Sequence, residues 1–218
     1  VIFKTLGLIV IDEQHKFGVN QRKKLSDKGG IDCDVLLMTA TPIPRTLTMT
    51  IYGDMDISII REKPKSRKAI KTYSKLEAKI DEVLKFITKE INLGNQIFWV
   101  CPLIEESKKL DHTSAVKKFE YLKKKFPNEV CLLHGKTDLK EKNIILNNFL
   151  KNQFKILVST TIIEVGIDFP NANVIIIENA NKFGLSQLHQ LRGRVGRGNK
   201  ESSCILMFKS NLSDNAKK

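Results

Sequence analysis

Residues 6–15 have the sequence LGLIVIDEQH, in which a continuously apolar run at 8–11 leads directly into Asp12 and Glu13. Short, continuously apolar runs are typical of strands that are buried on both faces of a parallel sheet. We predict eight strands along the chain, over residues 6–12, 35–39, 70–73, 96–101, 130–133, 155–159, 174–178 and 204–208. Most of these runs are apolar throughout, so the sheet is predicted to be covered on both sides.

Three stretches between the predicted strands carry apolar residues at helical spacing, and each has a signal at one end: 76–91 before Gly94, 116–126 before Pro127, and 139–150 after Asp138. Glycine and proline commonly end helices, and an aspartate commonly caps the first turn. Strands that alternate with helices form right-handed βαβ units. We therefore predict an α/β fold in which helices flank a parallel sheet.

A charged stretch, REKPKSRK at residues 61–68, separates two parts of the chain. It contains Pro64, and we predict a linker over residues 63–68. Residues 1–62 are too few for a complete parallel α/β domain, whereas residues 69–218 suffice for one. The chain is therefore expected to contain one complete C-terminal domain and part of another.

The 218 residues carry a net charge of +13, from 37 basic and 24 acidic side chains. This balance favours a phosphate-rich partner, but lysines that merely solvate helix faces, such as Lys117, Lys118 and residues 123–125, would explain it as well. No apolar run approaches the roughly 18 residues of a membrane span, so no membrane partner is expected. The four cysteines form no C-x-x-C pair and are predicted to be buried free thiols, which fits a reducing cytoplasm.

Acids and hydroxyls follow the first two predicted strands. Asp12 and Glu13 would lie at the carboxyl edge of the sheet, where open α/β folds bind ligands, and an acid there can hold Mg²⁺ against nucleotide phosphates. Thr39 and Thr41, in the sequence TATP, could hydrogen-bond this acid pair. Taken alone, Asp12 and Glu13 could equally be two merely exposed acids, and TATP could be a simple turn.

A more specific pattern is QLHQLRGRVGRG at residues 187–198, with arginines at 192, 194 and 197. The intervening glycines allow the backbone to approach a ligand closely. Clustered guanidinium groups match phosphate geometry and can stabilise charge in phosphoryl transfer. A solvated basic loop is the alternative.

Two further strand ends carry polar groups. Thr160 and Thr161 lie in STTIIEVGID at 159–168, where their hydroxyls could reach a nucleic-acid phosphate and Asp168 could reach a ribose or an arginine. His134, after the fifth predicted strand, could meet a nucleic-acid backbone or be purely structural.

In this order and spacing, DEQH, TATP, LLHGK, STTIIEVGID and QLRGRVGRG resemble motifs II, III, IVa, V and VI of superfamily 2 helicases over nearly the whole chain. The blocks DEQHKFGVNQR, MTATPIPRTLTMTIYGDMDIS and CPLIEESKKLD are similar to those of RecG-type DNA helicases. The transcription-repair coupling factor shares the TATPIPRT and FGLSQLHQLRGRVGR blocks. It has DEEQRFG in place of DEQHKFG and lacks the PLIEES run, so the RecG type is favoured.

The resemblance implies RecA-like lobes with ATP in the cleft between them, part of the first in residues 1–62 and the second in residues 69–218. By this resemblance, Asp12 would hold Mg²⁺ and Glu13 would be the base that orients the attacking water, while Gln14 and His15 would couple the site to Thr39 and Thr41. Gly166, Asp168 and Gln190 would border the nucleotide, and Arg194 and Arg197 would contact the γ-phosphate. His134, Thr160 and Thr161 would contact DNA. Arg197 is the first choice for an arginine finger.

The resemblance also implies the partner: branched double-stranded DNA, such as stalled forks and Holliday junctions, remodelled in the bacterial cytoplasm during recombination and repair.

One element is missing, because no G-x-x-x-x-G-K-[ST] phosphate loop occurs in the sequence. The P-loop lobe and an N-terminal wedge domain are expected to belong to the same protein outside these residues. A module that binds nucleic acid without turnover is the alternative from another functional class.

Because the lysine of the P-loop is absent, we expect the 218-residue chain alone to hydrolyse ATP no faster than the uncatalysed background. A phosphate-release assay with and without duplex DNA measures this. Turnover that DNA stimulates and that Arg197→Ala abolishes would contradict the prediction.

Overall fold

The computed structural model describes residues 3–12, 24, 27–29, 33–39, 56–60, 62, 68–102, 108–160 and 169–209, and for residues 108–113 it describes the backbone alone. The chain divides into two compact units, Val1–Ile60 and Arg61–Lys218. The division lies two residues before the predicted end of the first part, and each unit is described by itself.

The first unit contains a pair of parallel strands, β1 (Leu8–Ile11) and β2 (Asp34–Leu37). Ile9 and Ile11 are buried, whereas Leu8 and Val10 are 55% and 51% exposed. Within these 218 residues, β1 is therefore covered on one face only, unlike the strand buried on both faces that its apolar run predicts. Its side chains alternate between the two faces, and only the face of Ile9 and Ile11 is packed.

The second unit is built on a six-stranded sheet in which every pair is parallel, in the order β3-β8-β7-β4-β6-β5. Its strands and helices, in chain order, are β3 (Ile70–Leu76), α1 (Ile80–Asn92), β4 (Gln96–Val100), α2 (Lys108–Lys125), β5 (Val130–Leu133), α3 (Leu139–Leu150), β6 (Ile156–Ser159), β7 (Ala172–Ile177), α4 (Leu185–Arg192) and β8 (Ser202–Phe208). Short 3₁₀ turns at Glu77–Lys79 and Ala180–Lys182 precede α1 and α4.

Helices cover both faces of this sheet. On one face, Ile97 and Trp99 of β4 join a core cluster with residues of α1 and α2, such as Ile87 and Leu122. On the other face, Phe98 of β4 joins residues of α3 and α4. All residues of β4, β6 and β7 are buried. Burial on both faces is what continuously apolar runs predict, so the expectation is confirmed for these central strands.

The predicted strands all occur, with ends that differ by up to three residues. Leu76 was assigned to a helix and instead pairs with Phe208 at the end of β3, because the ladder between β3 and β8 extends that far. The second helix begins at Lys108, eight residues before the predicted apolar stripe at 116. Gly94 adopts a φ of 78° just after α1, which is the left-handed conformation that suits a glycine beyond a helix end. Asp138 caps α3 as predicted, accepting a hydrogen bond from the Glu141 amide at 2.8 Å.

Cys101, Cys131 and Cys204 are buried free thiols, as predicted, whereas Cys33 is partly exposed. Burial raises the pKa of the Cys204 thiol to about 11, although the nearby Arg192 charge lowers it. Among the described residues, the structure has no helix with the length and apolar character needed to cross a membrane.

Candidate functional site

In the first unit, the ends of β1 and β2 bring two predicted site residues to one edge. Ile11 is opposite Leu37 in the ladder, and the Met38 amide donates a 2.8 Å hydrogen bond to the Ile11 carbonyl. Asp12 and Thr39 therefore follow neighbouring strand ends at the same edge, and both are exposed. Glu13, Gln14, His15 and Thr41 lie outside the described residues.

In the second unit, all strands run in one direction, so the sheet has a carboxyl edge where they end and an amino edge where they begin. Four polar residues follow neighbouring strands at the carboxyl edge: His134, Thr160, Cys101 and Glu178, after β5, β6, β4 and β7. Leu133 is opposite Ser159, which places His134 beside Thr160. The structure thus brings together two residues predicted to contact DNA, although Thr160 is only 4% exposed.

The ring of His134 is oriented by the turn that follows it. Its Nδ1 atom accepts a hydrogen bond from the Lys136 amide at 3.2 Å and lies 3.3 Å from Oγ1 of Thr137. The His134 amide in turn donates to Thr137 Oγ1. Since a backbone amide can only donate, Nδ1 carries no proton in this arrangement, and the ring proton of the neutral form is on Nε2. The turn therefore suits a neutral hydrogen-bond donor.

Behind this edge lies an ion pair that is mostly buried. Lys118 Nζ of α2 is 2.6 Å from Oε1 of Glu178, and the two side chains are 19% and 11% exposed. The ammonium group also lies 5.3 Å from the ring centroids of both Trp99 and Tyr121. Cys101 Sγ is 3.7 Å from Glu178 Oε2, and burial, together with this carboxylate, raises the pKa of the thiol. The pair fastens α2 to the carboxyl end of β7.

The predicted arginines belong to what we call the arginine segment, residues 193–201, which joins α4 to β8. Because α4 leads back across the sheet from the end of β7, this segment lies at the amino edge. Val195 is fully buried in the core below α4, and Gly196 is buried with a φ of 74°. Arg197 is exposed, and Arg194 is half-buried. The segment therefore presents Arg197 from an anchored backbone.

Within the second unit, the structure divides the predicted site residues between two edges. His134 and Thr160 share the carboxyl edge, whereas Arg194 and Arg197 share the amino edge, with the half-buried Gln190 of α4 close to them in sequence. Thr161, Gly166 and Asp168 lie outside the described residues.

Sequence reasoning missed the role of Lys118, which it grouped with lysines that solvate helix faces. The structure corrects this, since Lys118 pairs with Glu178 and is mostly buried. The sequence did offer a signal that Glu178 is a candidate site residue, because this acid directly follows the apolar run of β7. No signal distinguishes Lys118 from the other lysines of α2, because its partner is 60 residues away along the chain.

Comparison with known proteins adds a second line of observation. A family model described as the helicase conserved C-terminal domain matches residues 78–199. The ATP-dependent DNA helicase RecG of Bacillus subtilis (strain 168) is 53% identical over 209 residues, a match that covers 95% of this chain and 30% of that protein. The chain thus spans less than a third of this relative's length.

Two solved structures are also similar. A structure of RecG bound to a three-way DNA junction matches 99% of this chain and 27% of that chain, with a TM-score of 0.75 and 44% identity. Dbp5 of S. cerevisiae bound to RNA and ADP BeF3 matches 98% of this chain and 56% of that chain, with a TM-score of 0.66 and 20% identity. The second likeness concerns the fold alone.

The Lys118–Glu178 pair should behave as a coupled buried pair. Either Lys118→Met or Glu178→Leu leaves an unpaired charge below the surface and should lower the free energy of unfolding by about 3 kcal/mol, whereas the double variant should lose less than the sum. Urea unfolding followed by the fluorescence of Trp99, the single tryptophan, measures this.

Lys71→Met is the matched control, since it breaks the exposed 2.7 Å pair with Glu201 and should leave the unfolding midpoint unchanged. Strictly additive losses at Lys118 and Glu178 would show that the two charges are not coupled.

Proposed function

Since the chain belongs to the helicase conserved C-terminal domain family, and within it to the RecG type, we propose that it forms part of the motor of an ATP-dependent DNA helicase. The proposed substrate is branched double-stranded DNA, such as stalled forks and Holliday junctions, in recombination and repair. The match to a RecG structure that holds a three-way DNA junction supports this class of DNA. The 53% sequence identity to RecG of Bacillus subtilis also favours the RecG type over the transcription-repair coupling factor.

The observation that carries the proposal is the presentation of Arg197 on the arginine segment. A guanidinium group offers several donors in a fixed fork and stays charged at neutral pH, which suits the γ-phosphate of ATP. The buried Val195 and the left-handed φ of 74° at Gly196 restrict the backbone just before Arg197. We therefore assign Arg197 as the arginine finger and Arg194 as a second phosphate contact. Gln190, Gly166 and Asp168 are proposed to border the nucleotide.

In the first unit, Asp12 is proposed to hold Mg²⁺ together with the nucleotide. Its position fits, because it is an exposed carboxylate at a strand's carboxyl end, and carboxylate oxygen is a ligand that Mg²⁺ prefers. The ion would neutralise phosphate charge there. Glu13 is proposed to orient the attacking water, while Gln14 and His15 couple the site to Thr39 and Thr41.

DNA is proposed to contact the carboxyl edge of the second unit. His134 is held by its turn with Nδ1 as acceptor, which favours Nε2 as a neutral donor toward a phosphate oxygen. Thr161 is proposed to assist, and Thr160, which is buried, to support the backbone of this edge. The net charge of +13 would add sequence-independent attraction that weakens as salt rises.

The nucleotide site also needs a P-loop, which no part of this sequence contains. We propose that the P-loop and a wedge domain that grips the branch come from the rest of a RecG-type protein, and that this protein works in the bacterial cytoplasm. The intact Asp12–Glu13 pair and the arginine segment argue against a module that only binds nucleic acid, because binding alone requires neither.

A chimera tests the proposal directly. When this chain replaces the matching 209-residue segment of Bacillus subtilis RecG, the chimera should hydrolyse ATP in a DNA-dependent manner. Arg197→Ala in the chimera should then lower kcat by about 10³-fold, the usual magnitude for an arginine finger. Steady-state phosphate release measures both.

Lys155→Met is the control, because it removes a cation that bonds to Asn152 at 2.9 Å, outside the arginine segment. Its kcat should stay within about twofold of the unchanged chimera. An Arg197→Ala chimera that turns over ATP as fast as the control would remove Arg197 from this role.

A further inference from the structure

A network of buried amides lies at the amino edge, next to the arginine segment. Asn173 Nδ2 donates to Asn95 Oδ1 at 3.0 Å, and Asn173 Oδ1 accepts from Ser202 Oγ at 3.2 Å. Asn95, Asn173 and Ser202 are all at most 6% exposed. Lys200 Nζ, from the arginine segment, donates to the same Asn95 oxygen at 3.2 Å. The network thus links the starts of β4, β7 and β8 to the segment itself.

An irregularity in the sheet produces this network. The ladder between β4 and β7 shifts from Gln96 opposite Ala172 to Ile97 opposite Val174, so Asn173 is an extra residue in β7. A bulge of this kind redirects a side chain. Asn173 Nδ2 also donates to the Asn171 carbonyl oxygen, and Asn95 Nδ2 donates to Glu90 Oε2 at 2.6 Å. These bonds satisfy both buried amide groups.

Close packing constrains the same segment at two glycines. A Cβ atom at Gly196 would lie 3.0 Å from Ile70, and one at Gly198 would lie 3.1 Å from the Pro170 carbonyl oxygen. These positions flank Arg197 on both sides. The exposed arginine therefore has anchored backbone before and after it, and Lys200 bonds to the amide network three residues further on.

Such a network is not explained by stability alone. Buried polar groups cost free energy unless every group is paired, and apolar side chains of similar size often serve stability as well. A fully paired network does restrict the backbone to one arrangement. An arginine that must meet a transferring phosphoryl group benefits from this, because a displacement of about 1 Å can lower a rate about 100-fold.

We propose that Asn173 and Asn95, with Ser202 and Lys200, are positioning residues that fix the arginine segment so that Arg197 is presented in one orientation. Nothing in the motif at 187–198 includes Asn95 or Asn173, which precede it in sequence. The link to catalysis rests on the proposed function of Arg197, whereas the anchoring of the segment does not.

Hydrogen exchange of the 218-residue chain tests the anchoring without any enzymatic activity. Asn173→Ala and, separately, Lys200→Met should speed amide exchange at least about tenfold in residues 193–201, while amides of β5 keep their rates. Lys155→Met is the matched control, since it removes a 2.9 Å lysine–asparagine bond to Asn152 outside the segment and should change nothing in residues 193–201. Lys200→Met alters an exposed side chain, so its exchange rates test the anchoring of the segment even if Asn173→Ala unfolds the unit.

Kinetics in the Bacillus chimera test the link to catalysis. Lys200→Met and Asn173→Ala should lower kcat about tenfold or more with KM for ATP within about twofold, since ground-state binding is retained while phosphate geometry is lost. Lys200→Arg, which keeps a cationic donor for Asn95, should restore most of the rate. Lys155→Met should match the unchanged chimera.

Unchanged exchange in residues 193–201 of both variants would overturn the anchoring. Faster exchange with unchanged kcat, in a chimera whose Arg197→Ala variant is inactive, would overturn the positioning role while leaving the proposed function intact. If Arg197→Ala itself is fully active, the proposed function fails, and the exchange result still decides whether the network anchors the segment.

Discussion

The parallel direction of all six strands in the second unit is the constraint on which the rest of its structure depends. Every connection must leave at the carboxyl edge, and every return must arrive at the amino edge. A residue just after a strand and a residue just before one are therefore held at opposite sides of the sheet. This rule places His134 and the arginine segment at opposite edges of the sheet, whose central strand β4 is buried on both faces.

This geometry gives the two edges different kinds of support. At the carboxyl edge, a mostly buried ion pair between Lys118 and Glu178 ties a helix to the end of a central strand. At the amino edge, neutral amides at Asn95 and Asn173 tie three strand starts to a loop. An apolar core alone sets distances between layers, whereas directional bonds at the edges set the orientation of loops. The arginine segment at the amino edge thus has a polar anchor, and another polar contact ties α2 to the end of β7 at the carboxyl edge.

Much of the fold was predictable because the strands of a covered parallel sheet leave a local signal, a short apolar run. Helix ends were predictable where a single residue specifies them, as at Gly94 and Asp138. Errors arose where a distant partner decides the outcome. Leu76 is in a strand because β8 pairs with it along the whole of β3.

The same difference between local signals and distant partners applies to the candidate site. The positions of strand-end residues such as Asp12, Thr39 and His134 were predictable, since these residues directly follow apolar runs, whereas their roles stay predictions. The Lys118–Glu178 pair joins residues 60 positions apart and the Asn95–Asn173 bond joins residues 78 positions apart, and a lysine or asparagine gives no local sign of such a partner. The bulge at Asn173 likewise depends on the register between β4 and β7.

The central proposal is that the two edges of the second unit serve different ligands, DNA at the carboxyl edge and nucleotide at the amino edge. Site-specific photocrosslinking in the Bacillus chimera tests it most directly, with a photoreactive side chain at Lys136, beside His134, or at Asn199, beside Arg197. With three-way junction DNA and ATP both present, the account predicts a DNA adduct from position 136 and a nucleotide adduct, without DNA, from position 199. DNA adducts of similar yield from both positions would contradict it.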